Sequence, residues 1–214
     1  MFDAVPSRFD KTNFHSYCDI LAGKDADLKK VLTDYGYPPL WMRKPSFATL
    51  VLIILEQQVS LASARAAFLK LKNKIGIVTP SKLLRLSDAE LKACYFSRQK
   101  IVYSKALARA IIARQFSFKK IIDLPADEIR HILKNIKGVG DWTADVFLMF
   151  CVQEADLFPA GDIALIKSMK EVKGLPAHTT TQEVILIADN WRPYRTVAAF
   201  ILYHAYLTRR GRVD

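Results

Sequence analysis

Cysteine and histidine are scarce in this sequence of 214 residues. The three cysteines, Cys18, Cys94 and Cys151, are widely separated, and none belongs to a Cys-x-x-Cys pair or has a histidine at ligand spacing. This pattern argues against structural disulfides, a zinc site and a four-cysteine iron–sulfur cluster. It predicts an intracellular protein, located in the cytoplasm or nucleoid, or in the nucleus of a eukaryote.

Strand signals and long apolar runs are also missing. The sequence has no Asn-Gly or Asp-Gly hairpin and no convincing alternation of apolar and polar residues. The longest aliphatic run, residues 50–55, stops at Glu56, and no signal-peptide pattern opens the sequence, so no membrane span is expected. The run could be a strand by periodicity alone, but Ser46 before it and two glutamines after it favour a buried helix.

Acidic residues are outnumbered by basic ones. The 32 Lys and Arg against 21 Asp and Glu give a formal charge of +11, which draws the molecule to polyanions. Nucleic acid is the first candidate and an anionic membrane surface the second. A basic surface that simply faces water would show the same balance, so charge alone leaves the partner open.

Helix punctuation is abundant. Capping side chains precede most apolar-periodic segments, which predicts an all-α protein of about ten helices without internal repeats. The predicted caps are Ser46, Ser60, Thr79 before Pro80, Ser97, the capping-box pair Ser87 and Glu90, and the pair Thr179 and Gln182.

The stretch "NIKGVGDWTADVFLMF", residues 135–150, places Gly138 and Gly140 between two helical segments. We expect the first segment to end near Ile136 and the second to begin near Asp141. Because glycine allows positive φ and close backbone approach, the pair predicts a sharp reversal with exposed amides. Such amides at a helix N-terminus bind phosphate, and on a basic protein the first candidate is the phosphate of a nucleic-acid backbone. A helix corner without a ligand remains the alternative from this stretch alone.

A second motif, "LFPAGDIALIK" at residues 157–167, carries Asp162 directly after Pro159, Ala160 and Gly161. A rigid residue followed by a permissive one can aim a carboxylate from the start of the next helix. An aspartate there is also an ordinary N-cap, so capping and catalysis both stay open.

Together the two motifs resemble the signature of the helix-hairpin-helix (HhH-GPD) DNA glycosylase superfamily, in which an essential aspartate follows the hairpin. The sequence looks most like the alkylation-repair branch, 3-methyladenine DNA glycosylase II, because Trp142 stands where bifunctional relatives carry a lysine nucleophile. Segments 54–64, 96–100 and 190–206 extend the resemblance to about residues 45–208. We therefore expect a short form without the N-terminal β-domain of the best-known relatives. We also expect no iron–sulfur loop of the endonuclease III and adenine-glycosylase branches, since no cysteine follows Cys151.

The resemblance implies an all-α fold of two lobes with a cleft between them. Residues 1–45 would be N-terminal helices packing on the hairpin lobe, 46–125 a helical bundle lobe, and 126–214 the hairpin and catalytic-aspartate lobe. The implied activity is a monofunctional hydrolase that cleaves the N-glycosidic bond of alkylated purines, such as 3-methyladenine or 7-methylguanine, after base flipping in base excision repair. Its partner would be double-stranded DNA with alkylated bases, and it would act as a monomer without lyase activity.

The resemblance also assigns residues. Asp162 would be the catalytic carboxylate, and Trp142 and Tyr203 aromatic walls of the base pocket. No cofactor is required, although the backbone carbonyls of Lys134, Ile136 and Val139 would hold a structural Na⁺ or K⁺ as in relatives. The DNA-binding residues would be Gln58 as the wedge, Phe96, Ser97 and Arg98 in a second loop, and Gly138, Gly140 and Thr143 at the hairpin.

Two alternatives remain. One is a glycosylase for oxidised or deaminated bases, and the other is a helix-hairpin-helix DNA-binding protein without catalysis. Asp162 after the Pro159-x-Gly161 loop favours an enzyme over the binding protein. Trp142 in place of lysine favours an alkylpurine glycosylase over a lyase-type enzyme.

Overall fold

The computed structural model of this protein describes residues 7–211. Within that range it is helical, with thirteen α-helices and an isolated antiparallel bridge between Arg8 and Glu154. The all-α prediction is therefore confirmed, and the aliphatic run lies in the helix Phe47–Glu56, not in a strand. Across the same residues, no helix is long and apolar enough to cross a membrane.

The helices are short and follow one another through tight connections. A π-helical turn, Leu148–Val152, continues the tenth helix, and a 3₁₀ turn, Asp189–Trp191, follows the twelfth. In chain order the α-helices are α1 (Phe14–Lys24), α2 (Ala26–Tyr35), α3 (Phe47–Glu56), α4 (Leu61–Ile75), α5 (Pro80–Leu84), α6 (Asp88–Ala93), α7 (Arg98–Ile112), α8 (Phe118–Ile121), α9 (Ala126–Lys134), α10 (Asp141–Phe147), α11 (Ile163–Lys173), α12 (Thr181–Ala188) and α13 (Arg195–Thr208).

The chain divides into two compact units. We call residues 43–152 the continuous unit, and residues up to 42 together with those from 153 onward the split unit. This division differs from the predicted domains, because the hairpin residues 126–152 group with residues 43–125 and not with Asp162. The physical reason is that α10 packs on α3 as well as on α9, so the hairpin shares the core of the helical bundle.

Helix capping follows the sequence closely. The predicted caps at Ser46, Ser60, Thr79 and Ser97 accept third-position amides, and the Ser87 and Glu90 capping box is present. The prediction of Thr179 and Gln182 is wrong by one residue, since the box consists of Thr180 and Glu183. The Glu183 carboxylate accepts from the Thr180 amide at 2.7 Å, and a carboxylate is a stronger acceptor than a glutamine amide.

The core of the continuous unit is built around α3. Its apolar residues Leu50, Val51, Ile53, Ile54 and Leu55 are buried, and the helix packs against α4, α7 and α10. Burying a side chain of this size contributes about 1.5–3 kcal/mol, so a helix apolar on most sides belongs at the centre. The turns at both ends of α3 are thereby held in place.

The core of the split unit is built around α13. The Phe200 ring lies in the middle of an aromatic cluster, with centroids 5.5 Å from Phe9, 5.8 Å from Phe14 and 5.5 Å from Trp41. These edge-on or tilted geometries are the ones that aromatic rings favour. They tie the segment before α3 to the last helix.

A half-buried ionic cluster joins three parts of the split unit. Asp25 caps α2 and accepts from Lys173 Nζ at 2.7 and 2.6 Å and from Trp191 Nε1 at 2.8 Å. Burial opposes ionisation of Asp25, but the hydrogen bonds from Lys173 and Trp191 and the cap outweigh it and lower its pKa below the usual 3.8. The ionised carboxylate therefore stabilises the contact of α2 with α11 and the turn before α13.

The Asp25 cluster predicts an acid-dependent stability. A depressed carboxyl pKa contributes stability that is present above pH 3.8 and is lost as the pH falls below it. Asp25→Asn keeps an N-cap acceptor but loses the charge, so we expect the free energy of unfolding to fall by about 1.5–3 kcal/mol at pH 7. Urea unfolding at pH 7 and pH 3 measures this difference. It should shrink at the lower pH, and an equal difference at both would contradict the assignment.

Candidate functional site

The hairpin between α9 and α10 depends on one glycine. Gly138 has φ +91°, and a Cβ added there would lie 2.0 Å from Cγ of Tyr103 on α7. Neither the backbone conformation nor the space admits a side chain. Gly140 differs, since its φ is −99° and a Cβ added there would have no neighbouring atom within 4 Å. Gly138 therefore shapes the hairpin, and Gly140 leaves its outer side open.

The first turn of α10 presents one aromatic residue and hides one hydroxyl. Trp142 is half-buried at the second position of the helix. Thr143, the third, is 2% exposed, and its Oγ1 accepts from Nε2 of Gln57 at 2.8 Å. The predicted DNA contact of Thr143 cannot come from this buried hydroxyl. Its backbone amide, which has no intrahelical acceptor in the first turn, is the group that suits an anion.

Charges around the hairpin are partly compensated. Asp141, which opens α10, accepts from Nζ of Lys134 at 2.5 Å, and this hydrogen bond lowers the pKa of Asp141. Asp145 pairs with Arg130; burial raises the pKa of Asp145, against the effect of that partner. The pairing of Asp141 with Lys134 reduces the repulsion that an acidic residue would exert on a phosphate at this helix end.

The turn between α3 and α4 lies against the hairpin. Gln57 donates through Nε2 to the Gly138 carbonyl at 2.9 Å as well as to Thr143. Gln58, the predicted wedge, is exposed and has φ +57°, a conformation uncommon for a residue with a side chain. The structure thus brings Gln58 and the hairpin together in the continuous unit. The sequence alone indicates no role for Gln57, because both of its hydrogen-bond partners lie more than eighty residues away.

The second predicted DNA-binding loop needs a correction. Phe96 is 2% exposed and packs in the core, so its side chain cannot be the predicted DNA contact. Its neighbour Tyr95 is 61% exposed at φ +67°, with Nζ of Lys70 3.8 Å from the ring centroid. Ser97 caps α7 and Arg98 is the exposed first residue of that helix. Two adjacent aromatic residues, such as Tyr95 and Phe96, indicate that one of the two side chains is buried. The local sequence does not indicate which one.

The predicted cation ligands lie at the end of α9 and in the hairpin. Lys134 is the last residue of α9, and the Ile136 carbonyl accepts from the Val139 amide at 3.0 Å. Carbonyl oxygens are suitable ligands for a hard cation. The hydrogen bond from the Val139 amide leaves a second lone pair on the Ile136 oxygen. Over residues 7–211, no group of three or more His, Cys, Asp or Glu side chains is arranged to hold a metal.

In the split unit, Asp162 caps α11. Its Oδ1 accepts from the Leu165 amide at 3.0 Å, and its own amide donates to the Pro159 carbonyl at 2.8 Å. The Pro-Ala-Gly-Asp segment is therefore a tight turn that ends at a helix N-terminus, where the helix dipole favours an anion. Capping and a functional role are compatible, because the cap fixes the direction of the carboxylate.

The loop leading to Asp162 is fastened to the first turn of α13. Thr196 Oγ1 accepts from the Leu157 amide at 2.9 Å. Arg195 donates through Nε to Asp156 at 2.7 Å and through Nη1 to Asp189 at 2.9 Å. Arg195 and Thr196 thus have a structural role, since they hold the loop that leads to the candidate catalytic residue.

Tyr203 lies on α13, which packs against α11. Its side chain is half-buried, and Ser168 on α11 donates to the carbonyl of the preceding Leu202 at 2.5 Å. The split unit therefore contains both Asp162 and Tyr203 on two helices that are packed together. Trp142 belongs to the continuous unit.

The chain is similar to known DNA repair proteins in sequence and in structure. The model of the HhH-GPD superfamily of base excision DNA repair proteins matches residues 51–193, which include the hairpin and Asp162. DNA-3-methyladenine glycosylase 1 of Schizosaccharomyces pombe is 28% identical over 190 residues, covering 86% of this chain and 83% of that protein. The solved DNA-3-methyladenine glycosidase of Bacillus halodurans has 28% identity and a TM-score of 0.73, covering 91% of each chain.

A further solved structure is similar in fold. It is a 3-methyladenine DNA glycosylase of S. pombe in complex with abasic DNA, with a TM-score of 0.81 over 91% of this chain and 97% of that one. At 24% identity the likeness supports the fold alone.

The two hairpin glycines give a matched pair of variants. Gly138→Ala places a methyl group on the Tyr103 ring at positive φ, which costs about 1–2 kcal/mol for the backbone alone and more for the ring. Gly140→Ala meets no neighbour and keeps an allowed φ, so we expect a change within about 0.5 kcal/mol. Thermal unfolding of both variants measures this, and equal melting temperatures would contradict the described packing.

Proposed function

Since the chain belongs to the HhH-GPD superfamily of base excision DNA repair proteins, we propose that it is a monofunctional DNA glycosylase acting on alkylated purines, such as 3-methyladenine and 7-methylguanine. The observation that carries the proposal is the hairpin with Trp142 in the first turn of α10. Similarity to DNA-3-methyladenine glycosylase 1 over most of both chains supports the same activity.

In this proposal the hairpin binds the DNA backbone. The amides at Gly138 and Gly140 and the N-terminus of α10 suit a backbone phosphate, and Gly140 leaves room for close approach. Such a contact positions the protein without reading sequence. A monovalent cation held by carbonyls of Lys134, Ile136 and Val139 would bridge the hairpin to that phosphate. In this proposal the protein works as a monomer.

The target base has to leave the helical stack before it can react. Gln58, exposed at the tip of the α3–α4 turn, would then fill the gap that the flipped base leaves in the duplex. Arg98 and the exposed Tyr95 offer a second contact on the same unit, in place of Phe96. All three side chains can approach DNA without unfolding of the core.

Trp142 supplies the preference for alkylated bases. Alkylation at N3 or N7 makes a purine cationic, and the face of an indole attracts a cation by about 0.5–2 kcal/mol. Tyr203 is proposed as a second aromatic contact for the base; its half-buried side chain lies on α13, which packs against α11. A neutral base gains less from such aromatic contacts.

Asp162 supplies the charge for bond cleavage. Loss of the base leaves oxocarbenium character on the deoxyribose, which a nearby carboxylate stabilises while it orients or deprotonates the attacking water. The bond between C1′ and the purine nitrogen breaks, and its electron pair neutralises the departing cationic base. Water then adds at C1′, its proton passes to the Asp162 carboxylate or to solvent, and an abasic site remains.

Lyase chemistry would require an amine nucleophile beside the hairpin. Trp142 stands at the position where such a lysine would be expected, and Lys134 and Lys137 precede the second glycine. Lys134 is paired with Asp141. The product should therefore be an intact strand with an abasic site.

Asp162→Asn tests the catalytic assignment. Asparagine also caps helices, so α11 should persist, whereas loss of the anion should slow base release by about 100-fold or more. The measurement is release of free bases from methylated duplex DNA under single-turnover conditions, with strand cleavage assayed before and after alkali.

Three outcomes would contradict this account. A wild type that frees neither 3-methyladenine nor 7-methylguanine would refute the activity. Equal rates for wild type and Asp162→Asn would refute the carboxylate's role. Strand cleavage without alkali would refute the monofunctional assignment.

Phosphate contacts predict salt-dependent binding. Three such contacts lower the affinity for abasic-site duplex about 40-fold between about 50 and 200 mM salt, because counterions are released. Gly140→Ala should bind more weakly at each salt concentration, since its methyl group would stand between the hairpin and the phosphate. Fluorescence anisotropy titrations measure both effects. Salt-insensitive binding would remove the nucleic-acid interpretation.

A further inference from the structure

Gln57 joins two parts of the continuous unit that are far apart in sequence. It follows the last residue of α3, and its side-chain amide donates to the Gly138 carbonyl at 2.9 Å and the Thr143 hydroxyl at 2.8 Å. Both hydrogens of the amide nitrogen are thereby used. The same residue is the direct neighbour of Gln58, whose side chain points from the turn into solvent.

Both acceptors belong to rigid parts of the hairpin. Gly138 is confined by its positive φ and by the Tyr103 ring, and Thr143 is buried in the first turn of α10. Leaving the partly buried Gly138 carbonyl or the buried Thr143 hydroxyl without a donor costs free energy, so the two bonds define one position for Gln57. The hairpin therefore acts as the anchor of the α3–α4 turn.

The turn itself requires an anchor. Gln58 has φ +57°, and a side-chain-bearing residue persists there only where its surroundings hold it. On the side of α7, Lys100 Nζ donates to the Leu55 carbonyl in the last turn of α3. Gln57 supplies the corresponding bonds on the side of the hairpin.

We propose that Gln57 is a positioning residue that couples the hairpin's grip on the DNA backbone to the place where Gln58 enters the duplex. The inference rests on the proposed function and adds a residue to it. Gln57 touches neither substrate nor reacting atoms, and it acts through the geometry of Gln58.

If Gln57 positions Gln58, its loss should affect some substrates more than others. A purely structural role of Gln57 would affect all substrates equally. Wedge insertion competes with base pairing, because the target must be unpaired and unstacked before it is flipped. A misplaced wedge therefore matters most when the target is firmly paired. It matters little when the opposite nucleotide lacks a base.

The test compares these two substrates. Gln57→Met keeps the side-chain length and removes both donors, while Thr143→Val removes one acceptor and Thr143→Ser retains it. Single-turnover release of 7-methylguanine is measured opposite cytosine and opposite an abasic analogue. We expect Gln57→Met to slow release about tenfold opposite cytosine and less than about threefold opposite the abasic analogue. Thr143→Val should also slow release opposite cytosine more than release opposite the abasic analogue. Thr143→Ser should restore the wild-type ratio of these two rates.

A second measurement does not depend on bond cleavage. A 2-aminopurine beside an abasic-site analogue brightens when the protein unstacks it, and we expect Gln57→Met to reduce that signal at saturating protein. Equal rate losses on both substrates, or unchanged fluorescence, would overturn the coupling. If the wild type releases no base at all, the proposed function fails, and the fluorescence still decides whether Gln57 positions the turn. Thr143→Val keeps the test decisive if Gln57→Met fails to fold.

Discussion

The candidate DNA-binding surface depends on the absence of a side chain at one position. The Tyr103 ring occupies the space where a Cβ of residue 138 would be, 2.0 Å from its Cγ, and the backbone there has a positive φ. Only glycine meets both conditions. Because the chain can turn this close to α7, the Gly138 carbonyl reaches Gln57 and α10 begins with Trp142 in its first turn. The proposed phosphate contact, the proposed wedge at Gln58 and the proposed base contact of Trp142 thus all depend on one steric constraint.

In the split unit, hydrogen bonds and ion pairs hold the candidate catalytic residue in place. Thr196 and Arg195 hold the loop at Asp156 and Leu157, and that loop leads through a tight turn to the Asp162 cap. Further along, Asp25 binds Lys173 at the other end of α11. Both ends of the helix that carries the candidate catalytic carboxylate are therefore fixed. Preorganisation of this kind is what electrostatic stabilisation of a transition state requires.

Local features of this fold were predictable and distant contacts were not. Serine and threonine caps, the glycine hairpin and the cap at Asp162 express backbone preferences within four residues, so pattern reasoning found them. The contacts of Gln57 with Gly138 and Thr143 join residues 81 and 86 positions apart, and no local signal reveals them. Tertiary packing likewise decides that Tyr95 is exposed while Phe96 is buried. It also decides that the hairpin groups with residues 43–125.

The central claim is that this protein removes purines that alkylation has made cationic. The most direct measurement compares single-turnover release of cationic 3-methyladenine with that of neutral hypoxanthine from otherwise identical duplexes. If Trp142 contacts the base and Asp162 assists cleavage without an acid that protonates the leaving base, the charged base should be released faster, by at least about tenfold. Equal or faster release of hypoxanthine would contradict the account and favour a glycosylase for deaminated bases.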